Sequence, residues 1–172
     1  MIALTCRIVA FQSLSQANQL FDSCKSEPAL IAFVTNLAHT ALVACLTEYH
    51  GFEAFKDASK RSISTMQLGK EYQTATRRTK DADLIHVETH SLSGLLKKLD
   101  RVYLSDEMVE TLLRLRNLIE HPKPIVQGEM HLSAIFAAII ATLDLILSLD
   151  RAKEIEGQAK VLRDKCQNFD LR

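Results

Sequence analysis

Turn-forming residues are scarce in this 172-residue chain, which has five Gly, three Pro and no Trp. A β-sandwich or barrel needs turn signals roughly every 8 to 12 residues, so that class is excluded and helices are left. Neither charge sign dominates: Lys and Arg total 21 and Asp and Glu total 21. No global field draws the chain toward nucleic acid or an anionic bilayer, and any RNA binding has to be local. Cys6, Cys24, Cys45 and Cys166 lie far apart and form no C-x-x-C pair, which excludes the common zinc and dithiol motifs and points to a reducing, cytoplasmic setting. No Gly-rich strand-to-helix turn is present to cradle a nucleotide. Glu-x-x-His, which a di-iron bundle uses twice, is also missing. The first ten residues carry Arg7 within an apolar run and lead into Gln12, Ser13, Ser15 and Gln16, which does not fit a secretory signal.

Apolar residues make up 47% of the chain and charged residues 24%, enough to build a core and too apolar for disorder. The length fits one domain over residues 1–172. Helical spacing of apolar residues recurs throughout. Leu4, Ile8, Phe11, Leu14, Ala17, Phe21 and Cys24 define a first helix, and Leu30, Val34, Leu37, Ala41 and Cys45, after Pro28, define a second. Asp81 caps a third helix running to about Leu99. Ser105, followed by Asp106 and Glu107, opens a fourth, with acidic residues at the positive end of its dipole. Met108, Leu112, Leu115 and Ile119 stripe that helix, and His121-Pro122-Lys123-Pro124 stops it, because the residue before a proline is pushed out of the helical region. A fifth begins near Glu129 and continues through Ala152, Ile155, Ala159 and Leu162, with Gly157 as its break point. Leu132 to Leu149 (LSAIFAAIIATLDLILSL) approaches the length of a membrane span, about 18 residues. Asp144 inside it costs roughly 2.5–3.5 kcal/mol on insertion, so it reads as the buried central helix of an all-α bundle of about five helices.

Lys56, Lys60, Arg61, Lys70, Arg77, Arg78 and Lys80 stand against only Asp57 and Glu71 between the second and third helices. This long basic connection reads as a solvated surface segment or as an RNA-facing patch, with Arg77 and Arg78 as phosphate-binding candidates.

The fourth helix closes on Leu113-Arg114-Leu115-Arg116-Asn117-Leu118-Ile119-Glu120-His121-Pro122. Arg116, Asn117 and His121 match the Arg-Asn-x-x-x-His signature without a gap, and His90-Ser91-Leu92-Ser93-Gly94-Leu95-Leu96 is similar to the lead-in that precedes the signature helix. In these features the chain resembles the HEPN family of compact helical bundles. The resemblance spans most of the chain in helix order, although six residues carry its diagnostic part. It implies a metal-independent endoribonuclease without cofactor, acting on RNA at a cleft between two copies of the chain, in a toxin, defence or RNA-processing role with an antitoxin or regulatory protein as partner. An inactive HEPN-like adaptor or RNA-binding protein is the alternative it also allows. Under that resemblance His121 exchanges a proton, Arg116 stabilises charge on phosphorus and Asn117 positions. Lys123 stands where some relatives carry a Tyr that an antitoxin modifies, so the resemblance does not extend to that control.

The residue chemistry is compatible with this role. An imidazole exchanges protons near neutrality, and a guanidinium offers phosphate a planar fork. Residues five apart on a helix diverge by about 140°, so Arg116 and His121 converge only if the helix ends between them. Asn117 and His121 are four apart and share a face. Arg114 either lines the same cleft or is a solvated flank, and Lys123 adds phosphate affinity.

Two other constellations compete. His90 and its neighbours are similar to the phosphoryl-accepting segment of histidine phosphotransfer domains, though Ser93 replaces the usual Lys and bulky Leu95 and Leu96 replace small residues. His86 and His90, with Glu88 between them, share a face if they are helical, but two histidines do not complete a metal site. His39, His50 and His131 have no partner recognisable in sequence.

Overall fold

A computed structural model describes residues 2–24, 29–57, 60, 88–120, 131–149 and 153–169. Among the described residues six α-helices form: α1 (Ile2–Ser23), α2 (Leu30–His50), α3 (Leu92–Leu96), α4 (Asp106–Glu120), α5 (Leu132–Ser148) and α6 (Lys153–Gln167), with a 3-10 turn at Gly51–Ala54 after α2. No strand is present among the described residues, only one antiparallel bridge between Phe55 and Thr89. The protein is an all-α helical bundle.

Side-chain contacts set the helix directions. Arg7 on α1 pairs with Glu48 on α2 at 2.6 Å, so these two helices are antiparallel. Asn18 donates its amide to Gln158, and Asp22 pairs with Lys165, so α1 and α6 run parallel. Arg163 pairs with Asp144, and the Phe136 and Phe169 rings lie 4.9 Å apart, so α5 and α6 are antiparallel. One end of the bundle therefore gathers the C-termini of α1 and α6 with the N-termini of α2 and α5, sealed by Phe21, Phe136 and Phe169. The other end holds the N-terminus of α1, the C-terminus of α2 and α3. That last position is fixed by His50 Nε2–H, which donates to the Leu95 carbonyl at 2.9 Å.

The core draws on every helix, with Leu14, Leu42, Leu46, Leu95, Leu112, Leu115, Ile139, Leu143, Ile146 and Leu162 fully enclosed. Each such side chain contributes about 1.5–3 kcal/mol relative to exposure. Helix α2 packs against α1, α3, α4 and α5, so the central position expected of Leu132–Leu149 is held by α2, while α5 lies beside it. Leu30–Ala54 is also the one stretch among the described residues long and apolar enough to cross a bilayer, with 61% of its apolar window buried inside the protein; Leu132–Ser148 is shorter.

Three boundaries depart from the sequence reading. The third helix does not reach back through residues 88–91. Thr89 bridges Phe55, His90 N–H donates to Ala54 O at 2.8 Å and Lys56 N–H to Glu88 O at 3.0 Å. This pairing holds the chain extended until Ser91 caps α3 by accepting from Gly94 N. Residues 81–87, where that helix was expected to start, lie outside the described residues. The long fifth helix is two helices, broken at Leu149, whose ψ of 125° is extended. Gly157 lies inside α6 rather than at the break. Finally, the residues expected to stripe α1 are core only in part: Leu14, Ala17, Phe21 and Cys24 are buried, whereas Leu4, Ile8 and Phe11 are exposed.

Candidate functional site

Helix α4 carries the Arg-Asn pair. Ser105 Oγ accepts from Met108 N–H at 3.2 Å, and Asp106 and Glu107 occupy the first turn, as the capping pattern predicted. Leu112 and Leu115 are fully buried and Val109 nearly so, with Met108 and Ile119 half-buried beside them. Packed against α2 and α5, this stripe sets the rotation of the helix and hence the direction of each polar side chain.

At about 100° per residue, Arg116 lies about 40° from Leu112, at the margin of the packed face. It is half-buried and engaged by a neighbouring group of the chain. Arg114 and Asn117 lie on the opposite side, about 60° apart, and both are exposed. The structure thus brings Arg114 and Asn117 onto one solvent face, shared with Glu107 and Glu110, and sets Arg116 apart from them on the flank facing the bundle. His121 and Lys123, the Pro122 stop, and Arg77 and Arg78 lie outside the described residues.

The lead-in forms the expected short helix. Leu92 and Leu95 are buried, and Ser91 caps it. Gly94 sits so close to His90 that an added Cβ would meet the histidine Cβ at 3.2 Å. His90 is half-buried in the extended segment ahead of α3, not on a helix as the phosphotransfer reading and the His86–His90 metal pair both require. Among the described residues no group of three or more His, Cys, Asp and Glu side chains could hold a metal ion.

Sequence reasoning did not single out the joint between α2 and α3. His50 lies there half-buried, and desolvation pushes its imidazole below the ordinary range, aided by Lys98 and opposed by its bond to Leu95. Lys60 pairs with Glu53 at 2.6 Å, and Lys98 Nζ donates to the Glu53 carbonyl. Gly51 after a Tyr-His pair is the signal that could have marked it, since its φ of 56° suits glycine and turns the chain out of α2.

Comparison with protein-family models, with curated proteins and with solved structures gives no match.

Proposed function

We propose that this chain is a metal-independent endoribonuclease of the HEPN type, acting as a homodimer on RNA. The observation that carries the proposal is the ungapped Arg116-Asn117-x-x-x-His121 series at the end of a helix whose packed face is locked by Leu112 and Leu115. The all-helical bundle and the Ser91-capped lead-in helix are further support.

In this mechanism the ribose 2′-hydroxyl loses its proton to a base and attacks the adjacent phosphorus. A second group protonates the departing 5′-oxygen, and a 2′,3′-cyclic phosphate remains. His121, from one or both copies, exchanges these protons. Arg116 faces the negative charge that grows on the equatorial phosphoryl oxygens. Its half-buried position favours this role, because a guanidinium already ordered by packing loses less side-chain entropy on meeting phosphate. Asn117 hydrogen-bonds the substrate or orients the imidazole. Arg114 flanks Asn117 as a phosphate contact, with Lys123, Arg77 and Arg78 adding charge around the RNA. A role as a toxin, a defence factor or an RNA-processing enzyme, and control by an antitoxin or regulatory partner, belong to the same proposal.

A second reading is an inactive, adaptor-type relative. It is favoured by the engagement of Arg116 within the chain and by the two carboxylates on the solvent face of α4. Incubating the purified protein with end-labelled RNA in EDTA separates the two. The ribonuclease cuts under chelation and is silenced by His121→Ala or Arg116→Ala in folded protein, whereas the adaptor leaves RNA whole.

A further inference from the structure

We infer that the surface at the C-terminal end of α2, carrying Tyr49 and Phe52 among Lys56, Lys60 and Lys98, binds single-stranded RNA, with bases stacked on the rings and phosphates on the lysines. The inference rests on the RNA-handling reading and adds to it a binding surface separate from Arg116 and Asn117.

Tyr49 is 55% exposed and Phe52 42% exposed. One exposed aromatic ring is ordinary on a protein surface. Here two stand three residues apart on either side of Gly51, whose positive φ swings the chain from α2 into the 3-10 turn. The platform beneath them is firm. Ala54 and Phe55 are buried, Phe55 bridges Thr89, and His50 ties α2 to Leu95. The outward rings are therefore presented by an anchored turn.

Cations lie beside Phe52 and the turn that carries it. Lys60 Nζ lies 5.8 Å from the centroid of the Phe52 ring, Lys98 reaches the Glu53 carbonyl, and Lys56 sits one residue past the bridge. The facing carboxylates are Glu53, Asp57 and Glu88, which pair with Lys60 and Lys56. The Lys56–Glu88 pair is solvent-exposed on both sides, at 52% and 45%, whereas Lys60 is only 19% exposed beside Glu53. A pair exposed on both sides holds weakly, so a polyanion can take over Lys56. Beyond Lys60 the sequence continues with Arg61, Lys70, Arg77, Arg78 and Lys80 against Glu71, Asp81 and Asp83, a charge bias that suits a polyanionic ligand and opposes a basic one. Flat rings interleaved with cations match the chemistry of unpaired nucleotides, whose bases offer π-faces that a duplex keeps stacked. An acidic peptide would use the lysines and leave the rings idle.

The test is fluorescence anisotropy of labelled 2′-O-methyl oligouridine, which lacks the free hydroxyl needed for cleavage, against a duplex of equal length. The proteins are the full chain, a Tyr49→Ala/Phe52→Ala variant and a ring-preserving Tyr49→Phe/Phe52→Tyr variant, each checked for folding by thermal melting. The single strand should bind more tightly than the duplex and more weakly as salt rises. Loss of both rings should weaken binding about a hundredfold, roughly tenfold for each, while the ring-preserving variant keeps wild-type affinity. Binding unaffected by the double alanine change, or equal binding of the duplex, overturns this surface and leaves the ribonuclease reading standing. Cleavage of ordinary RNA without affinity for the probe also overturns the surface alone. Neither binding nor cleavage removes both.

Discussion

The rotation of α4 decides where Arg116 points, and a pair of neighbouring substitutions measures it. Leu115 has no exposed surface, while Arg114, one residue earlier, is exposed. Leu115→Ala removes three side-chain carbons. The transfer cost is about 2.4 kcal/mol at ~0.8 kcal/mol per carbon, and the cavity left between α4, α2 and α5 brings the total to about 2–5 kcal/mol. Against a global stability of about 5–15 kcal/mol, this is a large fraction and lowers Tm by about 4–20 °C for a chain of this size. Arg114→Ala touches no packed surface and should stay within about 0.5 kcal/mol of wild type. Urea unfolding followed by far-ultraviolet circular dichroism, with an unchanged denaturant slope in both variants, gives the two values. Equal losses in the two variants, or a larger loss at Arg114, would show that α4 is turned differently and that the flank position of Arg116 is wrong.

Gly157 sits within α6 with open space around an added Cβ, so Gly157→Ala should stabilise by about 0.5–1 kcal/mol and raise the urea midpoint. Burial holds the His50 imidazole below its ordinary range, so the folded chain resists a proton that the unfolded chain takes up below about pH 6.5. That contribution is intact above this pH, is lost on acidification, and levels off once the folded imidazole itself protonates. His50→Gln, which keeps a donor for Leu95, should make Tm fall less steeply than in wild type between about pH 7 and pH 5. Burial pushes the Cys166 thiol up to about 12 and also raises Cys24, while Cys45 is enclosed and Cys6 half-exposed. At mildly alkaline pH a thiol reagent should therefore label Cys6 first and reach the other three only on unfolding.

Helix identity was readable wherever local periodicity and capping agreed. Ser105 with Asp106 and Glu107 marked the start of α4, and Leu112 and Leu115 marked its buried stripe. What packs against a stripe is not encoded in its spacing. Leu4, Ile8 and Phe11 recur at helical spacing but lie about 60–140° around α1 from Leu14 and Phe21, on a face left exposed, whereas Ala10, within about 40° of Leu14, is buried. The extended course of Thr89 depends on Phe55, 34 residues earlier, and no local window contains that pairing. Local signals also placed the break between α5 and α6 at Gly157, since glycine is the weaker helix former. The bundle instead turns at Leu149, where the buried side chain of an extended residue closes the core. At the candidate site, opposition between Arg116 and the Arg114–Asn117 face follows from helix geometry alone. The half-burial of Arg116 arises from its packing environment in the folded bundle.

The most direct test of the central claim is the chemical identity of the RNA ends left after incubation with the folded protein in EDTA. The account predicts 2′,3′-cyclic phosphate ends from the wild type and no products from His121→Ala or Arg116→Ala. Intact RNA, products ending in a 3′-hydroxyl, or wild-type cleavage by either variant would contradict it.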